Sequence, residues 1–537
     1  MNAPRERSHR VLLVSDNGHG LGHVTRLLAI GRRLPDDCLP VMLTLSEAHA
    51  AVRDQGMLVE YFPSGPRLGI AKSKWSALFA RRLDNVIERY RPQVVVVDHV
   101  APSAAFVTAR RRHPGTWFVW CRRGMWRPGS NGSARGLHEW FDVVLEPGDV
   151  ARHLDGGSTV VDRERVTEVA PVTLLDQTEL LDRAAARTEL GLPSAGPAAL
   201  VALSASDPED LVAQVAHVRD VLGQVRPGAH LFVPRHPLQG DRLQDVEDVT
   251  MRPYYPIARV LRAFDVAVTS AGYNSVHELV RAGVPAVLVP AHAQSVDDQD
   301  ARAAGAAQRG LARVVDGVGD PQLADALQAA FDGELRGDGG ADLHTNGASA
   351  AAQLIGDLAA GAPSNLSPAG AELEPTEDQR LDGLGKLVSG RRGVPRSSPI
   401  HVIDAVELRP RELKNLVGRV IREQDDRLRP GDARPLPGPA VRPVLLVSSA
   451  ADTSRLSRRR LAYETVLTAE ELARIDPSVS HADHRARRRQ EAAVTWGATA
   501  VEIVPRDPPS AVRSTAEEPR RVRRWPRWPR RRSGRQA

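Results

Sequence analysis

The chain is poor in cysteine, aromatic residues and lysine, and it has no long apolar run. Its two cysteines, Cys38 and Cys121, are too few for a disulfide framework, a zinc cluster or an iron–sulfur centre. They read as small buried hydrophobes in a reducing compartment. Aromatics are 4% of 537 residues, so the cores must be rich in Leu, Val and Ala. No apolar stretch approaches the ~18 residues of a membrane span. The start, MNAPRERSHR, is polar, so no secretory signal is expected and a cytoplasmic protein is. Nearly all cations are arginine, the lysines being Lys72, Lys74, Lys386 and Lys414. The net charge is +6, but Arg520–Arg535 holds nine arginines and no acid, and without these nine the remainder stands at −3. The body is therefore near-neutral, which excludes a basic nucleic-acid-binding surface spread over the whole protein. The basic character belongs to a tail.

What is present is organisation. Length implies about two to four domains, and 42% hydrophobic residues suffice for their cores. Val11–Val14 reads as a buried parallel strand. A glycine-rich turn, Gly18-His19-Gly20-Leu21-Gly22-His23, leads to a helix with Val24, Leu27, Leu28, Ile30 and Leu34 on its apolar face. Further strands are expected at 40–45, 58–62, 94–97, 116–120 and 143–145. A second series runs through 198–203, 230–233, 266–269 and 286–290. Strands alternating with helices predict parallel sheets with helices on both faces. The expected fold is α/β, with two Rossmann-like parallel-sheet domains facing across a cleft. Residues 1–165 form the first, 166–362 the second and 363–399 a Gly/Pro/Ser-rich linker. Residues 400–510 form a small α/β module in which 461–489 reads as mostly helical. Residues 511–537 form a basic tail too polar to fold.

Three clusters carry chemistry. In the glycine loop, Gly18, Gly20 and Gly22 let backbone N–H groups approach a phosphate or sugar, and the next helix offers its positive end. His19 and His23 sit there at the carboxyl edge of the sheet, where α/β sheets bind ligands. The alternative is a tight strand–helix turn. The second cluster is Ser270-Ala271-Gly272-Tyr273-Asn274-Ser275-Val276-His277-Glu278, where a strand delivers small residues to a helix expected to start near Ser275. Its N–H groups can hold a diphosphate without metal, and Glu278 can accept both hydroxyls of a ribose. The alternative is a capping box, Ser275 as N-cap and Glu278 three residues on. The third is Asp297-Asp298-Gln299 with Arg302, suited to sugar hydroxyls or simply to a solvated helix start.

In this order, with Gly-Val-Pro-Ala-Val-Leu-Val-Pro at 283–290, the motifs resemble GT-B glycosyltransferases. Within that class they are most similar to the family of the peptidoglycan enzyme that adds N-acetylglucosamine to lipid I. The resemblance covers roughly residues 10–360. It implies that Gly272, Asn274 and Ser275, with Ser270, face the donor diphosphate, that Glu278 holds the ribose, and that Asp298 and Gln299 meet the donor sugar. It implies that Arg252 and the residues to Ile257 flank the uracil, that Ser204 and Ser206 approach the phosphates, and that His23 faces the acceptor with His19, Asp98 and His99 near. Two departures stand out. Leu203-Ser204-Ala205-Ser206 replaces the family's Gly-Gly-Ser loop, and Thr173 stands where an arginine follows Pro171-Val172. A phosphate contact could pass to Arg235 or Arg252.

The resulting expectation is a glycosyltransferase moving a hexose or N-acetylhexosamine from a UDP-sugar co-substrate, without cofactor or metal. His23 is the expected base, Asp98 its orienting partner and His19 the substitute; inversion is implied by the resemblance alone. Arg122, Arg123 and Arg127 with Trp117, Trp120 and Trp126 are candidates for a lipid-linked or polysaccharide-precursor acceptor, or for Arg stems covering apolar surface. The Arg/Trp tail is expected to touch anionic lipid at the inner face of the plasma membrane, with no specific nucleic acid. Competing readings are a non-hydrolysing sugar-nucleotide epimerase and a non-catalytic nucleotide-sugar-binding scaffold.

Overall fold

The structure is a computed structural model that describes residues 9–15, 21–70, 72–204, 207–235, 245–291, 296–335, 341–361, 400–426, 442–459 and 461–504. The expected linker, the basic tail and Gly18, His19, Gly20 and Ser206 lie outside the described residues.

The first lobe is built on β1 (His9–Ser15), β2 (Cys38–Thr44), β3 (Leu58–Tyr61), β4 (Val94–Asp98), β5 (Trp117–Cys121), β6 (Val143–Pro147) and β7 (Thr167–Val169). These form one seven-stranded sheet in the order β3-β2-β1-β4-β5-β6-β7. The second lobe has β8 (Ala198–Ala202), β9 (His230–Arg235), β10 (Val249–Pro253), β11 (Val266–Thr269), β12 (Ala286–Leu288) and β13 (Ala312–Val314), ordered β10-β9-β8-β11-β12-β13. Every strand pair is parallel, so all strands of a sheet end at one edge. In both sheets the order reverses beside the first strand, between β1 and β4 and between β8 and β11. At such a switch point adjacent strands send their chains to opposite faces and leave a crevice.

Helix α1 (Gly22–Gly31) follows β1 and is buried on nearly every side, from His23 to Gly31. One side meets the sheet. The other meets α5 (Gly347–Ala360), which crosses back from the second lobe. Gly356 packs on Pro35, where a side chain would collide. A single apolar cluster therefore runs through both lobes, from Val11 and Leu27 to Leu279 and Ile355.

A third parallel sheet is formed by β14 (Ile400–Asp404), β15 (Arg442–Ser448), β16 (Ala462–Val466) and β17 (Ala500–Ile503), ordered β16-β15-β14-β17. The 461–489 stretch is thus not all helix. It opens with β16, which hydropathy hides because Glu464 and Thr465 are polar yet fully buried. They are buried because β16 abuts β3, with Tyr61 N donating to Thr465 Oγ1 at 2.7 Å. Around this contact the carboxylates of Glu60, Glu464 and Glu491 meet the guanidiniums of Arg82, Arg89 and Arg488. Arg82 and Arg89 lie on α2 (Lys72–Tyr90) of the first lobe, and Arg488 and Glu491 on α6 (His481–Trp496) of the third sheet. Three charges of each sign balance. The third sheet also covers β3, an edge otherwise open to strand pairing. Among the described residues no helix is long and apolar enough to cross a membrane.

Candidate active site at the facing sheet edges

His23 lies in the first turn of α1 and Asp98 is the last residue of β4. The switch point makes these elements neighbours, and His23 Nδ1 stands 2.6 Å from Asp98 Oδ1. Arg26, one turn beyond His23, donates through Nε to Asp98 Oδ2 at 2.8 Å and through Nη2 to Oδ1 at 2.6 Å. Burial alone would raise the Asp98 carboxyl, but Arg26 and His23 outweigh it and hold it well below the usual carboxylate range. A carboxylate carries no proton, so Nδ1–H of His23 must be the donor in the short contact. The 3.0 Å approach of Arg26 Nη2 to the same nitrogen is then mere proximity. This tautomer leaves Nε2 with a lone pair and no partner among the described residues. Burial lowers His23 to about 4 against the pull of Asp98, and Arg26 and Arg123 add to the lowering. At neutral pH the imidazole is uncharged. The His99 ring centroid lies 5.5 Å from it.

Across from this dyad, α3 (Tyr273–Ala282) begins after a three-residue turn that follows β11. Its N-cap is Gly272, and no side chain caps it. The capping box expected as an alternative, Ser275 to Glu278, is therefore not formed. The helix starts two residues earlier than Ser275, which puts Ser275 in its first turn and Glu278 in its second. The first N–H groups of the helix consequently have no helical acceptor and keep their partial positive charge. Ser204 N donates to Ser270 Oγ at 2.9 Å, joining the loops after β8 and β11. Glu278 has no hydrogen bond or ion pair among the described residues. Its carboxyl is partly solvated yet deep in the fold, and burial pushes it up to about 8 against the weaker pull of Arg281. Tyr255, whose ring feels the Glu278 charge, bonds Thr25 Oγ1 of α1 at 3.0 Å. Tyr255 thus links the neighbourhood of Glu278 to α1, the helix that carries His23.

Other residues have different duties. The side chain of Asn274 turns to the first lobe: Nδ2 donates to Gly22 O at 3.3 Å and Oδ1 accepts from Arg26 Nη1 at 3.4 Å. Asp298 is the N-cap of α4 (Gln299–Gln308), accepting from Ala301 N at 3.1 Å, so the helix-start alternative is built. Gln299 Oε1 accepts from Ala291 N at 3.0 Å, which ties down the turn after β12. Arg252 is not brought to the cluster. It is exposed and donates to Leu190 O at 2.6 Å, at the negative end of another helix. Arg235 pairs with Asp245. Trp120, Trp126 and Arg122 lie in the interior, Arg122 against Glu146 and His138, so they offer no acceptor surface.

Sequence reasoning missed the ionic seam that binds the lobes. Arg302, fully buried, donates to Asp149 Oδ2 at 2.8 Å, to Ala271 O at 3.0 Å and to both oxygens of Asp297. Arg123 reaches Asp297 at 3.1 Å. Residues 125–127 and 296–298 also exchange backbone hydrogen bonds, Asp298 N to Met125 O and Arg127 N to Val296 O. His277 Nε2 accepts from Val150 N at 3.0 Å, and Tyr273 OH donates to Gly148 O at 2.9 Å. The lobes are engaged rather than parted. No pattern in the sequence joins such distant residues. The one available signal was unpaired arginine at helical spacing from a candidate: Arg26 three residues after His23.

Two Rossmann-type sheets face each other across their switch points, with an uncapped helix start in the second. Residues 194–333 match the model of the glycosyltransferase family 28 C-terminal domain, so the second lobe carries that family's signature and the chain resembles the GT-B glycosyltransferases. Among solved structures, the glycosyltransferase of kitacinnamycin is 20% identical with a TM-score of 0.43, over 66% of this chain and 100% of that one. Glycosyltransferase SsfS6 of Streptomyces sp. SF2575 is 15% identical with a TM-score of 0.43, over 65% and 99%. MurG of Acinetobacter baumannii is 16% identical with a TM-score of 0.41, over 66% and 99%. The comparison with curated proteins gave no match.

Proposed function

We propose that the protein transfers a hexose or N-acetylhexosamine from a UDP-sugar to an acceptor hydroxyl, with inversion. The observation that supports this reading is the uncapped helix start at Gly272–Ser275, whose Asn274 bonds Gly22 and Arg26 beside a neutral His23–Asp98 dyad, with Glu278 one turn on and without a hydrogen-bond partner among the described residues. The free N–H groups of α3 stabilise the diphosphate as it leaves. Glu278 accepts the two ribose hydroxyls. His23 Nε2 takes the proton of the acceptor hydroxyl as its oxygen attacks the anomeric carbon, and the bond from that carbon to the diphosphate oxygen breaks. Asp98 holds the imidazole in the required tautomer and stabilises the imidazolium that forms.

The test is nucleotide release by the full chain, given UDP- and thymidine-diphosphate-linked sugars with a panel of hydroxyl acceptors. Turnover with a UDP-sugar supports the reading. UDP binding with no turnover on any acceptor favours a non-catalytic scaffold, and interconversion of the donor sugar favours an epimerase. Because helix amides and not a cation are assigned to the leaving group, excess chelator should leave turnover unchanged.

Glu278 gives a sharper expectation. Above about pH 8, where its carboxylate is ionised, Glu278→Ala should weaken UDP binding by ~10- to 100-fold, the worth of hydrogen bonds to a charged group, about 1.5–3 kcal/mol. The ionised carboxylate accepts from both hydroxyls and the protonated form gives up an acceptor. UDP affinity should therefore rise with pH through about 8, and Glu278→Gln should abolish that dependence. Calorimetric titration across pH 6.5–9 checks both.

A further inference from the structure

We propose that Arg26 is a positioning residue that fixes Asp98, and through it the His23 imidazole, to the first turn of the donor-lobe helix, so that the base is aimed only while the two lobes are engaged. The inference rests on the reading of His23 as the base.

The guanidinium is 2% exposed and its three nitrogens all point at functional elements. Nε and Nη2 grip both oxygens of Asp98 as a fork at 2.8 and 2.6 Å, and Nη1 crosses to Asn274 Oδ1 of α3 at 3.4 Å. The guanidinium also lies 5.3 Å from the centroid of the Tyr273 ring, in the same helix turn. The planar fork fixes the plane of the carboxylate, which a lysine ammonium cannot do. With both oxygens held, Asp98 offers one direction to His23, and Nε2 faces away from it. The far end of the link touches the helix turn assigned to the diphosphate. Arg26 thus joins the two chemical halves of the transfer, removal of the acceptor proton and departure of the leaving group.

Arg26 also contributes to the charge of the dyad. The groups facing His23 are Asp98 and His99 at the end of β4, Arg26 on its own helix and Arg123 beyond β5, with the Cys121 thiol beside Asp98. Asp98 alone would favour imidazolium. Burial is the larger influence the other way, and Arg26 and Arg123 add to it, so the base is neutral before the acceptor arrives.

The test compares Arg26→Gln, Arg26→Lys and Asn274→Ala in the full chain. The first readout is the imidazole nitrogen resonances of His23 in histidine-labelled protein, assigned by their loss in His23→Gln. In the unaltered protein Nδ1 should be protonated, Nε2 bare, and the titration near 4. Arg26→Gln removes the cation and should move the titration toward the ordinary 6.5, whereas Arg26→Lys keeps the charge and should move it little. The second readout is steady-state nucleotide release. Arg26→Lys and Asn274→Ala should lower kcat by about 10- to 100-fold, the scale of a small misplacement, with donor KM within about twofold. Unchanged His23 tautomer and titration in Arg26→Gln would overturn the proposal, as would unchanged kcat in both Arg26→Lys and Asn274→Ala. Should Arg26→Gln not fold, the other two variants decide. Resonances are read without turnover, so failure of the transferase assay alone condemns the function and not the Arg26–Asp98–His23 coupling.

Discussion

His23→Ala is expected to lower kcat by about 10²- to 10⁴-fold, the range for loss of a positioned general base, and to leave UDP affinity within about twofold. The split follows from geometry. Among the described residues the His23 ring approaches Asp98 and Arg26 of its own lobe and makes no hydrogen bond to the donor-lobe groups assigned to the nucleotide. Its loss removes a proton acceptor and not a binding contact. Asp98→Asn should also be severe, because an amide can donate to Nδ1 and stabilise the tautomer whose lone pair points the wrong way. The pH profile carries the sign. Transfer needs neutral imidazole, so kcat at saturating donor, which is free of the Glu278 effect on affinity, should fall as pH drops through about 4, well below an ordinary histidine. Steady-state rates from pH 4 to 9 with calorimetric UDP binding decide the matter. A His23→Ala protein with unchanged kcat would remove His23 from the reaction, and a large loss of UDP affinity would make it a donor contact instead.

Glu464→Ala should destabilise the whole first lobe, not merely the third sheet, by about 3–5 kcal/mol. Glu464 Oε2 accepts from Arg488 at 2.5 Å and Oε1 from Trp496 Nε1 at 2.6 Å, both fully buried. Removal leaves a guanidinium with less counter-charge and an indole N–H with no acceptor, in a place water does not reach. Breaking one member of a buried ionic group costs far more than never having had it. Arg82 and Arg89 extend the group to Glu60 on β3, so the damage spreads into the lobe that holds His23. Glu464→Gln retains an acceptor and should cost less. Denaturant unfolding followed by Trp emission and by UDP protection measures both variants. A loss below about 1 kcal/mol, or one confined to the third sheet with the first lobe's transition unmoved, would mean the sheets are independent neighbours.

Much of the architecture was legible because it rests on local pattern. Four-residue apolar runs such as Val94–Val97 are strands buried on both faces, and the glycines and small residues after β1 and β11 announce turns at a sheet edge. What escaped notice were the thin strands at edges and interfaces. Thr167–Val169, Val249–Pro253 and Ala312–Val314 are each sheet edges with little buried apolar surface. The start of α3 was misjudged by two residues because Ser275 looks like an N-cap, while Gly272 holds that position without using a side chain.

The sequence alone determined the class of fold, the two helix starts to within two residues, and the residue types beside them, since periodicity and turn chemistry act over a few residues. Tertiary structure alone decided the partnerships. It bonded Arg26 to Asp98 and to Asn274 of the other lobe, left Glu278 without a hydrogen-bond partner among the described residues and sent Arg252 away, whereas the His23–Asp98 pair was already expected from the sequence. Charge pairing in a buried crevice depends on which strands become neighbours at the switch point, and that order is a property of the folded sheet, not of any stretch of chain.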